Sequence, residues 1–267
     1  MLTMLIAIAA GCGIMLVTSR DLGPVWGVVC GIGTVMIVQL LIGLLVRSMV
    51  NRVNQKMQRV MAEAQAKLNR KVQMFQNRPG GNVKMLQQML EKEQFAAMRE
   101  ALAISHEADK YAWWSPMLKR QFNTVRMMLH FQMKEFDKVD ELLPKCLFLD
   151  ARSIATKMAR MYQKKTPGID EFYRKKGAKF KGEELALLAS EYAWILVKED
   201  RADDALKVLI EAKKKTDNPV VLENWERLAN GKARNFSNAG LGDSWYSLYL
   251  ETPKIRQERV RQSHRPF

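Results

Sequence analysis

PVWGVVCGIGTVMIVQLLIGLLV, residues 24–46, runs without a breaker into RSMVNRVNQKMQRVMAEAQAKLNRKVQMFQN, residues 47–77. The first part carries no charge, and in the second, charged and amide residues fill most positions between recurring apolar ones. A hydrocarbon core about 30 Å thick needs about 17–25 apolar helical residues, so residues 24–46 are long enough to cross it. A second uncharged run, LTMLIAIAAGCGIMLVT at 2–18, lies just upstream, and only Ser19-Arg20-Asp21-Leu22-Gly23 separates the two. Residues 1–47 are therefore expected to form a transmembrane hairpin of two helices.

The charge is unevenly placed. The chain has 267 residues and a formal net charge of +15. Residues 47–84 hold nine basic side chains against the single acid Glu63, a net of +8, and residues 251–267 add +3. The long stretch 85–250 carries only +4 of the total. Positive residues just beyond a membrane helix favour the cytoplasmic side. The pattern predicts a two-pass protein of the cell (inner) membrane with both termini and the main domain in the cytoplasm. Arg47, Arg52, Lys56 and Arg59 are placed to attract anionic headgroups, at about 1 kcal/mol per basic residue near the surface. Three cysteines, two of them inside the apolar runs, form no disulfide framework and fit a reducing compartment.

Gly27 and Gly31 form a GxxxG spacing, which permits close helix approach in lipid. Its expected use is packing of the two spans on each other, with dimerisation as the alternative. Gln39 is the only strongly polar side chain within the second span.

Beyond residue 46, Val46, Val50, Val53, Met57, Val60, Ala64, Leu68, Val72 and Phe75 follow at steps of three or four, the helical period. A continuous helix from 24 to 77 would be about 80 Å long. The early steps resemble a coiled coil, but the heptad is not sustained. Docking along the chain's own domain, lying on the membrane, and self-association all remain open. Residues 48–81 are thus read as a basic amphipathic stalk that ends at Arg78-Pro79-Gly80-Gly81.

Residues 82–232 read as helix after helix: 82–109, 116–133, 136–148, 151–164, 168–179, 182–199, 202–215 and 219–231. Separators are short, no run alternates with period two, and Pro144 weakens the third segment. The fold class is all-α, with antiparallel helix pairs.

The clearest pair is EELALLASEYAWILVKED followed by RADDALKVLIEAKKKTDNP. Ala189 and Ala193 are small residues in the first helix, and Ala205, Leu209 and Ala212 share a face of the second, with Leu196 packed beside them. This pair resembles a tetratricopeptide repeat: that family has a small residue in the first helix where the second crosses it, the place Ala193 would take, and ends near a proline, here Pro219, although Asp200 stands where it often has glycine. Weaker echoes fall around Val139 and Phe172, each 33 residues from the next, close to a period of about 34. The resemblance covers residues 116–231. It implies an array of helical hairpins whose groove binds a peptide or helix of another protein.

Residues 233–267 contain a loop, the aromatic run Ser244-Trp245-Tyr246-Ser247-Leu248-Tyr249-Leu250, and a basic tail. They are expected to cap the last helix pair, or else to dock on a partner or the membrane interface.

No motif for chemistry stands out. His106, His130 and His264 show no metal spacing, and neither CxxC nor a glycine-rich phosphate loop is present. The chain is not expected to be an enzyme or to need a cofactor. Arg174-Lys175-Lys176 and Lys213-Lys214-Lys215 are local basic patches on a nearly balanced domain, so nucleic acid is not an expected partner. The expected function is a membrane-anchored scaffold or adaptor with a tetratricopeptide-like protein-binding domain. Its expected partners are membrane lipids, an unidentified protein, and a second copy through the transmembrane or stalk helices. The alternative is an anionic-lipid-binding or membrane-remodelling protein that acts through the stalk.

Overall fold

A computed structural model describes residues 2–77 and 83–253. The breaker Arg78–Gly81 and the tail from Lys254 lie outside the described residues. The described chain is helical, with no strand among those residues. It falls into two compact units, 1–147 and 148–267.

The first unit begins with α1 (Leu2–Leu22) and α2 (Pro24–Gln76). Gly23 joins them at φ +91, in the left-handed region that favours glycine, and Pro24 starts α2, where its missing N–H costs nothing. Both helices are long and apolar enough to cross a membrane. Their outer faces are bare: Leu16 is 72% exposed and Val25 74%. The helix of a soluble core would hide such side chains.

Where α1 meets α2, small residues set the spacing. A Cβ added at Gly27 would lie 2.7 Å from the Ser19 Cβ and 2.9 Å from the Met15 carbonyl oxygen. One at Gly31 would come 3.0 Å from Met15 Cβ. Gly27→Ala is therefore expected to push the helices apart at a cost of about 1–3 kcal/mol. Gly33→Ala should be neutral, because nothing lies within 4 Å of that position. Parallel melts of the two variants in detergent micelles would separate these outcomes.

α2 then continues unbroken past the apolar run, and its apolar stripe is not free. Val53 and Met57 are buried with Ala101 of α3 (Val83–Ser105), Ala108 of the 3-10 turn His106–Tyr111, and Phe122 of α4 (Pro116–Gln132). Val50 and Met61 pack at the margins. Lys56 pairs with Glu107 at 2.7 Å, and Lys71 pairs with Glu93 of α3. Of the three arrangements open from the sequence, the stalk adopts docking on its own domain. Each of these exposed pairs adds only about 0–1 kcal/mol. The apolar stripe carries the larger share.

Arg126 of α4 is the buried polar centre of this unit. It donates from Nη2 to the Ser105 carbonyl oxygen at 2.8 Å and to Asp109 Oδ1 at 2.8 Å, and from Nε to Ser105 Oγ at 3.0 Å. These bonds satisfy groups at the end of α3, where carbonyls have no intrahelical partner. Partial burial would raise the Asp109 carboxyl, but hydrogen bonds from Arg126 and His106 outweigh it and hold the group below its usual range. The unit closes with α5 (Phe136–Leu142) and a 3-10 turn, Leu143–Lys145. The sequence pattern extended this helix to 148. It ends earlier because Pro144 has no N–H to continue the ladder.

The second unit contains α6 (Ala151–Gln163), α7 (Ile169–Lys176), α8 (Gly182–Lys198), α9 (Ala202–Lys213), α10 (Pro219–Ala229) and the short α11 (Asp243–Tyr246). Asp150 caps α6, its side chain accepting from the Ser153 N–H at 2.8 Å, and Asn218 caps α10 through Val220 N–H at 2.9 Å. α8 is the hub. Every residue from Leu185 to Leu196 is buried except Leu187, which is half-buried. Ala193, Leu196, Ala205 and Leu209 are fully buried and Ala212 nearly so, and these are the positions the sequence assigned to packing in this pair.

One local device recurs along the helical part. α4, α6, α8 and α10 each end on a left-handed residue: Lys134 at φ +61, Lys165 at +53, Asp200 at +59 and Gly231 at +67. In each case the next residue's N–H bonds back to the carbonyl five positions earlier: Glu135 to His130, Thr166 to Met161, Arg201 to Leu196, Lys232 to Arg227. The left-handed residue itself bonds three positions back. This pairing of bonds satisfies the last carbonyls of a helix and turns the chain sharply. Three of the four sites lack glycine, so the turn is imposed from outside, against a cost of about 1–2 kcal/mol for a left-handed side chain.

Candidate functional site

The second unit presents two faces with different contents. On one, α6 and α8 carry an aromatic cluster covered by the chain's own later residues. Tyr162 of α6 meets Trp194 of α8 edge-on at 5.4 Å, and Trp194 meets Trp245 of α11 at 5.4 Å. Both indole N–H groups donate to one carboxylate: Trp194 to Glu251 Oε1 at 2.9 Å and Trp245 to Glu251 Oε2 at 3.0 Å. Asn238 reaches the Ser190 carbonyl oxygen at 2.8 Å and is itself held by Asn224 of α10 at 3.0 Å. Residues 237–251 thus lie along α10, α8 and α6. Trp245 is fully buried there.

The other face is open. α7, α8, α9 and the 3-10 turn Gly177–Lys179 surround a cavity of about 510 Å³. Its floor is Tyr173, Leu185, Tyr192, Val208 and Ala212. Tyr173 and Tyr192 stack with ring centroids 4.3 Å apart. Burial pushes both phenols well above their usual range, and the Asp170 charge adds to the effect at Tyr192. The rim is charged, with Glu171, Arg174, Lys207 and Lys215. At its edge Arg201 grips Asp170 through two bonds, 3.0 and 3.3 Å, and this holds the Asp170 carboxyl low. An apolar floor with a mixed-charge rim can take a small amphipathic side-chain cluster or helix turn. The volume lies within the range of ligand pockets, about 300–1,000 Å³.

One buried acid stands apart from both faces. Glu191 of α8 is fully buried and neither carboxyl oxygen has a hydrogen-bond partner, nor does the neighbouring Ser190 Oγ. Burial pushes its pKa well above the usual carboxylate range; the Ala159 amide opposes this, but without the geometry of a hydrogen bond. The group is enclosed by helices, which favours its neutral form, and it lines none of the described cavities.

The basic residues singled out from the sequence do not form one cluster. Arg52, Lys56 and Arg59 share a helix face by spacing, and Lys56 is engaged with Glu107. Arg47 instead lines a separate cavity of the first unit. Gly27 and Gly31 both face α1, not an open surface. Among the described residues no group of three or more His, Cys, Asp or Glu side chains is arranged to hold a metal.

Glu191, Glu251 and the Asp170–Arg201 pair were missed by sequence reasoning. A signal existed for Glu191, the single acid inside the apolar run LALLASEYAWILV. None existed for Glu251, whose two partners are 57 and 6 residues away. No family model, curated protein or solved structure matches the chain.

Proposed function

We propose that the protein is a membrane-anchored adaptor. α1 and the first half of α2 form a two-pass anchor in the cell membrane, with both termini and the helical units on the cytoplasmic side. The helical hairpins, read as tetratricopeptide-like, bind a segment of another protein. The observation that carries this reading is the open cavity of about 510 Å³ on α7–α9, apolar in its floor and charged at its rim. The recurrent left-handed turn after α4, α6, α8 and α10 supports the repeat reading, because it marks four helices of like position. The resemblance alone would place the partner in a groove lined by the first helices of each pair. Residues 237–251 already cover α6 and α8 there, so the partner is assigned to the α7–α9 side.

The stalk-centred alternative is less favoured. Its apolar stripe packs on α3 and α4, and Lys56 and Lys71 are engaged with acids.

The test uses the full chain in its own membrane, with a photo-reactive phenylalanine analogue at Val208 in one variant and at Ile210 in another. Val208 lines the cavity, whereas Ile210 is 40% exposed and absent from its lining. A discrete protein adduct at 208 and none at 210 is expected. Equal labelling from the two positions would remove the cavity from the function. Extraction of the protein by alkaline carbonate would remove the anchor.

A further inference from the structure

α1 and α2 are antiparallel neighbours, so Thr3 lies beside Ile42 and Gly43. Arg47 is the first charge past that level. The loop that leads into α4 returns to the same level: Thr3 Oγ1 donates to the Trp114 carbonyl oxygen at 3.5 Å. A cavity of about 590 Å³ opens at this junction. Ile42, Val46, Val50, Trp114 and Leu118 supply its apolar wall and Arg47 its cation; no carboxylate lines it. Beside it Trp113 is 81% exposed and Met117 57% exposed.

An indole and a thioether left bare at the end of an uncharged helical run lie at the depth where a bilayer changes from hydrocarbon to headgroup. Indoles favour that depth, since the ring is apolar and the N–H stays wet. We propose that the segment from Trp113 to Met117 in the first turn of α4 is an interfacial foot, and that the adjoining cavity takes one anionic phospholipid of the surrounding bilayer. Arg47 holds the phosphate. Ile42, Val46 and Leu118 contact the upper part of an acyl chain, and Gln121 offers an amide to the ester region. The inference rests on the two-pass reading of α1 and α2. A lipid is favoured over a peptide by the cavity's lone cation, its lack of carboxylates, and its continuity with the bare apolar faces of both helices.

The test reconstitutes the full chain in phosphatidylcholine vesicles containing phosphatidylglycerol, with bromine placed near the headgroup end of the acyl chains of either lipid. Trp26, near the other end of the apolar run, serves as an internal reference for insertion. Wild type should show strong tryptophan quenching, and W113F/W114F should lose about half of it or more, leaving the Trp26 share. Brominated phosphatidylglycerol should quench wild type more than brominated phosphatidylcholine does, and R47Q should bring the two to parity. If the vesicles carry the protein and Trp26 is quenched, yet W113F/W114F matches wild type, the foot is overturned and the anchor stands. An unchanged lipid preference in R47Q overturns the phosphate site. If the protein fails to float with vesicles at all, the anchor reading fails first.

Discussion

Trp245→Ala should cost the second unit about 3–5 kcal/mol, the usual range for removing a buried tryptophan. The side chain is fully buried, packs on Trp194, and donates to Glu251. Truncation leaves a cavity against α8 and removes one of the two donors that anchor Glu251. Residues 237–251 should then detach from α6 and α8 before the rest of the unit melts. Hydrogen exchange on the full chain in micelles would report this as lost protection at 237–250, accompanied by new protease cleavage there. Glu251→Gln provides a milder comparison, because it keeps an acceptor oxygen and loses the charge; a cost near 1 kcal/mol is expected. Unchanged exchange at 237–250 in Trp245→Ala would mean that the segment is held elsewhere.

Replacing Glu191 by methionine should stabilise the same unit by about 1–3 kcal/mol, the penalty of a buried polar group left unpaired. Methionine fills a similar volume without polar oxygens. The effect depends on pH with a definite sign. Burial raises the folded-state pKa above the unfolded one, so the folded chain binds the extra proton. Below the unfolded value both states are protonated and the group adds no pH dependence. Above it, stability falls as pH rises, by about 1.4 kcal/mol per unit, until the folded group itself ionises. The variant should lack this slope. Exchange protection of the α8 amides, corrected for intrinsic rates at pH 6 and pH 8, would show the contrast. Parallel pH profiles in the two proteins would contradict the buried neutral acid.

Much of the helical layout was legible in the chain. The step of three and four from Val46 to Phe75 marked a face, and each of those residues is buried or half-buried. What covers that face was not legible: its partners range from Glu93, 22 residues from Lys71, to Phe122, which is buried with Val53 and Met57, and such pairing leaves no periodic trace. The α8–α9 pair was readable because its small residues share faces, and Ala189, Ala193, Ala205 and Ala212 are all buried. Phe172 packs edge-on against Phe148 at 5.9 Å, a contact that the 33-residue spacing does not foretell. The four left-handed turns escaped notice because three use lysine or aspartate, where a sequence reader looks for glycine. The α7–α9 cavity escaped because its lining comes from three helices and a turn. Nothing local in Trp113-Trp114-Ser115-Pro116 shows that this segment returns to Thr3.

α2 runs through 53 residues without a hinge, which gives it the form of a lever. Under the anchored reading its fulcrum is the first charged turn at Arg47, and its long arm is clamped to α3 and α4. A rod with a rise of about 1.5 Å per residue extends about 45 Å beyond that point. A ten-degree change in tilt, of the kind bilayer thickness imposes on a spanning helix, would sweep the far end sideways by about 8 Å. Membrane thickness would thereby be converted into displacement at the α2–α3 end, a gain set by the ratio of the two arms rather than by any moving joint.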